Sequence, residues 1–84
     1  MNNDIILFVG ENRTLYKSVS EKVEVIFPTS ELIWLRLYTE IEEYFGNGGV
    51  AKLIFLGEEP SDYKGPSFLM DLNDLSENIP VVFA

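Results

Sequence analysis

Ala51-Lys52-Leu53-Ile54-Phe55-Leu56-Gly57-Glu58-Glu59-Pro60-Ser61-Asp62-Tyr63-Lys64-Gly65 is the stretch that decides the fold. Its apolar run, Leu53 to Leu56, has no polar interruption. The run breaks at Gly57 into two glutamates, a proline and a second glycine. A strand with one wet face would alternate, so an unbroken run of this length reads as a strand buried on both faces. Such a strand belongs inside a parallel sheet, and in an open α/β sheet the loop that follows it lines the crevice where ligands bind. The loop from Gly57 to Gly65 is therefore the first place to look for chemistry.

Upstream, Ile5-Ile6-Leu7-Phe8-Val9 repeats the pattern and stops at Gly10. Gly10-Glu11-Asn12 reads as a turn. Arg13 to Lys22 reads as a short helix that buries Leu15 and Val19, with Asn12 or Thr14 as its cap. Val23-Glu24-Val25-Ile26-Phe27 is β-branched and interrupted only by Glu24, which predicts an edge strand ended by Pro28. Thr29 or Ser30 then caps a long helix with Glu31 in its first turn. Trp34, Leu37, Tyr38, Ile41 and Phe45 recur along that helix at helical spacing. Gly46-Asn47-Gly48-Gly49 ends it. It is no phosphate loop, because it follows a helix, precedes a strand and lacks the Lys-Ser/Thr pair.

Downstream, Pro66 opens a third helix with Phe68, Leu69, Leu72 and Leu75 on its apolar face. Ile79 to Ala84 is a fourth strand entered through Pro80. Strands and helices thus alternate, β-α-β-α-β-α-β. This predicts an α/β fold with a parallel sheet of flavodoxin-like order 2-1-3-4, which ends before a fifth strand. The outer edge of the fourth strand has nothing in the sequence to cover it. Further chain, a second subunit or unusual shortness are the three ways out of that liability.

The 84 residues allow a single domain. At 46% hydrophobic residues they can build a packed core, which rules against disorder despite a net charge of −8. No apolar run is long enough to span a membrane, and no signal peptide opens the chain, so a cytoplasmic protein without membrane contact is expected. The chain has no cysteine and no histidine. Thiol nucleophiles, Ser-His-Asp catalysis and His- or Cys-ligated zinc are thereby excluded. An acidic chain is also a poor direct ligand for nucleic acid, where affinity begins with phosphate neutralisation. Protein partners, basic ones included, fit it better.

Three carboxylates, Glu11, Glu58 and Glu59, follow strands that should be neighbours. They could hold Mg²⁺ through oxygen. No aspartate ends the third strand, so they read as turn residues and no metal or cofactor is expected. Trp34, Tyr38 and Phe45 are expected mainly as core, with Trp34 and Tyr38 forming an interface wherever they stay exposed. Val81 and Phe83 join them as interface candidates on the uncovered edge.

With the strands placed, the chain resembles a response-regulator receiver (CheY-like) domain with a degenerate phosphorylation site. Phe8-Val9-Gly10-Glu11-Asn12 matches the acidic motif after strand one, with Glu11 kept and Gly10 in the other acidic position. Counting back from Gly65, the phosphoacceptor position falls on Gly57. Pro80-Val81-Val82 matches the fourth strand. Within that group the chain is most similar to the N-terminal domains of FleQ-type flagellar σ54-dependent transcriptional activators, through the loop Leu56-Gly57 to Lys64-Gly65. The resemblance implies residues 1–84 as one receiver-like domain at the start of a longer protein. It also implies no enzymatic activity, and regulation by protein contact or homodimerisation without phosphorylation. Glu11 and Glu58 would be the remains of the acidic pocket. The alternative is a free-standing acidic inhibitor, phage-encoded in one version, that binds a basic nucleic-acid-binding protein.

Overall fold

The computed structural model describes residues 4–84. Strand β1 is Ile5–Val9, helix α1 Arg13–Ile26, β2 Glu31–Leu35, α2 Tyr38–Gly46, β3 Leu53–Leu56, α3 Phe68–Ser76 and β4 Val81–Phe83. The four strands are all parallel, in the order β2-β1-β3-β4. This is the flavodoxin-like arrangement the alternation implied. Among the described residues no helix is long and apolar enough to cross a membrane.

The register explains the two unbroken apolar runs. Leu7 and Val9 pair with Ile33 and Leu35 on one side and with Ile54 and Leu56 on the other. Together with Ile41 of α2 and Phe68 and Leu72 of α3 they form the larger core. Ile6 and Phe8 point to the opposite face and meet Val19 and Val23 of α1. Both faces of β1 are thus covered, and Ile6 to Val9 are fully buried.

Two expectations from the sequence are overturned. Residues 23–27 are not a strand: α1 runs on to Ile26, and Phe27 is its C-cap. Val19 and Val23, four residues apart, continue the buried stripe, while Val25 and Ile26 stay exposed. Packing of that stripe overrides the β-propensity of the Val-Glu-Val-Ile run. Nor is there a helix from Thr29: Glu31-Leu32-Ile33-Trp34-Leu35 is the true β2, and α2 begins only at Tyr38. Helical spacing from Trp34 to Phe45 therefore spanned two elements by coincidence. The strand order survived because the true second strand lies in the same inter-helix position as the expected one.

The remaining elements sit where expected but with shorter bounds: Pro66 lies before the Ser67 cap and outside α3, and β4 is only Val81–Phe83. Asn12 caps α1, its side-chain oxygen accepting from the Leu15 N–H at 3.0 Å. Ser67 caps α3, and Gly48, at φ +84°, turns the chain away from α2.

Candidate functional site

The carboxyl ends of β1 and β3 bring Gly10, Glu11, Gly57 and Glu58 to one rim. Gly57 continues the sheet, its N–H donating to Val9 O at 2.8 Å. Its side-chain direction is closed. A Cβ there would lie 2.8 Å from Phe8 Cζ and 3.0 Å from a Leu15 methyl group. Gly10 is closed twice over: its φ is +142°, and a Cβ would meet the Glu58 backbone nitrogen at 3.2 Å. The two positions that the receiver resemblance assigns to an acid and a phosphoacceptor are thus held by residues whose missing side chains the packing requires.

Two acids near the rim, Glu11 and Asp62, are committed to structure. Glu11 accepts two hydrogen bonds from Ser61, from the hydroxyl at 2.7 Å and from the backbone N–H at 2.9 Å. These donors, the hydroxyl foremost, hold its carboxyl below the usual glutamate range. Glu58 is exposed. Asp62 reaches across to α2 and accepts from the Tyr38 N–H at 2.7 Å and the Thr39 N–H at 3.2 Å. Its pKa is lowered chiefly by the Tyr38 bond. Leu37, the residue at the cap position of α2, has no side-chain acceptor, so Asp62 supplies the cap from another loop.

Tyr63 completes the loop. It is buried, packs edge-on against Tyr38 at 4.9 Å and Phe68 at 5.3 Å, and donates its hydroxyl to Asp71 Oδ2 at 2.5 Å. The same hydroxyl accepts from the Ser67 N–H at 3.2 Å. Burial, then the bond to Asp71, pushes its pKa to about 12. Pro60 beside it is fully buried. One loop therefore ties the turn after β1, the start of α2 and the start of α3. Sequence reasoning missed Ser61, Asp62, Tyr63 and Asp71 in these roles. Asp62 and Tyr38 are far apart in sequence, and no local pattern marks a cap delivered from that distance.

The interface candidates fall in three places. Trp34 is on β2, stacked on Tyr16 with ring centroids 4.2 Å apart. Its indole N–H donates to Gly10 O at 2.7 Å, and the Arg36 guanidinium carbon lies 5.6 Å from its ring. Tyr38 opens α2 and packs on Tyr63 and Phe68. Val81 and Phe83 stand on β4, with Phe83 67% exposed. Between the rim and β4 lies an open groove of about 440 Å³ lined by Gly57, Glu58, Glu59, Pro66, Leu69 and Phe83, among others.

Comparison with protein-family models, with curated proteins and with solved structures found no match.

Proposed function

We propose that this domain is a receiver-like module that works by protein contact, with no phosphoryl chemistry at its carboxyl rim. The observation that supports it most is the crowding at Gly57. Where the receiver resemblance places a phosphoacceptor, Phe8 and Leu15 already fill the side-chain space. The neighbouring loop is tied down by Glu11–Ser61 and Asp62–α2 bonds, so the Glu11 and Asp62 carboxylates serve the fold. In this reading the domain belongs to a bacterial transcriptional regulator, as the loop Leu56-Gly57 to Lys64-Gly65 suggests, and acts by self-association.

The test is direct. The chain is incubated with acetyl phosphate and Mg²⁺, and its intact mass is measured. No phosphoryl adduct is expected, for the chain or for its Gly57→Asp variant. A stable acyl phosphate on the unsubstituted chain would overturn the proposal. Tight, salt-sensitive capture of a basic protein by a monomer would instead favour the acidic-inhibitor reading.

A further inference from the structure

The outer edge of β2 carries opposite charges on its two sides. Among the described residues β2 pairs only with β1. Glu31 N–H donates to Asp4 O, and Leu35 O accepts from Gly10 N–H. In a parallel ladder this alternation turns the odd-numbered residues of β2 toward β1. It leaves the N–H and C=O groups of Leu32 and Trp34 facing outward.

The side chains of Leu32 and Trp34 project on the α1 face, against the core of Ile6, Phe8, Val19 and Val23. Beside Trp34 on that face is an open groove of about 480 Å³, walled by the Tyr16–Trp34 stack. Its charged residues are Arg13, Lys17 and one acid, Glu21. The Arg36 guanidinium lies over the Trp34 ring and adds a third cation. Half of the six lysines and arginines of a chain with net charge −8 thus gather on one side of one edge. The other side is the reverse. Ile33 and Leu35 project toward α2. The groove there, also about 480 Å³, is lined by the carboxylates of Glu40 and Glu43 and by no lysine or arginine. Glu31 shares the parity of Ile33 and Leu35 and adds a third carboxylate to that side.

A strand laid along this edge alternates its own side chains across the sheet. Residues opposite Leu32 and Trp34 fall on the side of Arg13, Lys17 and Arg36. Their neighbours fall on the side of Glu31, Glu40 and Glu43. Opposite charges on adjacent strands attract and like charges repel. The edge therefore selects a strand with carboxylates at alternate positions and lysine or arginine between them. Strand direction does not matter, because paired residues share a face in parallel and antiparallel ladders alike. A second copy of this chain fits poorly. Two β2 edges joined antiparallel about a two-fold axis keep each face on its own side, which sets Glu40 and Glu43 against the same acids of the other copy.

We propose that the β2 edge docks an extended segment of a partner protein in which acidic and basic residues alternate. Backbone bonds to Leu32 and Trp34 hold the segment. The two charged sides fix its register, since a slip of one residue moves every charge to the wrong face. This goes beyond the contact reading above and does not rest on it: a phosphoryl adduct in the earlier test would leave it standing.

The full chain is titrated by calorimetry with a short peptide of alternating glutamate and lysine. A block peptide of the same length and composition, glutamates first, is the control. Both are neutral overall, so they differ only in how charge divides between the faces. The alternating peptide is expected to bind roughly tenfold tighter, the combined effect of several cross-strand pairs. It should slow hydrogen exchange at the Leu32 and Trp34 amides, and its binding should weaken with salt. Lys17→Glu and Glu43→Lys, both at exposed positions, should each cut the preference several-fold without changing the melting temperature. Equal affinity for the two peptides, no binding by either, or binding that leaves those amides exchanging freely overturns the proposal. So does slow exchange of both amides in the free chain, because the edge would then already be covered.

Discussion

The carboxyl rim and the β4 edge lie side by side and are built on opposite rules. At the rim Glu11, Asp62 and Tyr63 are all tied to neighbouring elements, while Glu58 and Glu59 stay exposed. Glu11 holds Ser61, Asp62 holds α2, Tyr63 holds Asp71, and the two glycines make room for their neighbours. At the edge a short strand leaves Phe83 open to solvent. The difference teaches where to look for activity. A site that must react needs groups held in place but free to act, whereas these rim groups are held by each other. A surface that must recruit needs exposed apolar groups, and Phe83 on β4 is one.

If the rim is structural, substitutions there should cost stability, and substitutions on the edge should leave it nearly unchanged. The largest effect is expected at Trp34. Trp34→Ala removes the stack on Tyr16 and the bond to Gly10 O, and should lower unfolding free energy by about 3–5 kcal/mol in urea titration. A loss near zero would break the claim that the β1 turn is tied from β2. Next comes Gly57→Asp, where a Cβ must displace the Phe8 ring. A cost of about 1–3 kcal/mol is expected, and an undiminished stability would mean the position is open after all.

Asp62→Ala should follow, lowering the melting temperature by roughly 4–8 °C through the lost cap. Asp62→Asn, which keeps an acceptor, should recover much of that loss. Stability should also respond to pH at both ends. The carboxyls of Glu11 and Asp62 are lowered in the folded chain, so their contribution is full above their ordinary values of 4.5 and 3.8 and is lost as pH falls below them. Tyr63 is raised from 10.0 to about 12, so its contribution is full below pH 10 and is lost as pH climbs toward 12. Tyr63→Phe should reduce the alkaline arm, leaving the part carried by Tyr38 and Tyr44, which burial also raises, and leave the acid arm unchanged. The smallest effect on the monomer is expected from Phe83→Ser. Stability should stay within about 0.5 kcal/mol of the parent. A large destabilisation of the monomer would make Phe83 a core residue and erase the contrast.

The sequence makes legible whatever depends on continuous burial. Ile5 to Val9 read correctly because a doubly covered parallel strand leaves no room for alternation, while Leu53 to Leu56 read correctly as a strand but is fully buried only at Ile54 and Leu56, its Leu53 and Phe55 face being half-buried. The region from Val23 to Tyr38 did not, because β-branched residues in the last turn of α1 mimic a strand and an apolar β2 mimics a helix face. Only the packing partners, Phe8 and Ile6 under Val19 and Val23, resolve it. At the rim, Gly57 could be read as a residue unable to react. That its missing side chain is required by Phe8 could not, because the contact joins different strands. Asp62 was invisible for the same reason.

Trp34 has one more consequence. It is the only tryptophan in the chain, and its indole is clamped between a tyrosine ring and a loop carbonyl. Its emission should therefore report on the turn after β1 specifically, shifting to the red when that turn comes away from the sheet. The domain carries its own optical gauge of the rim, and it needs no label to be read.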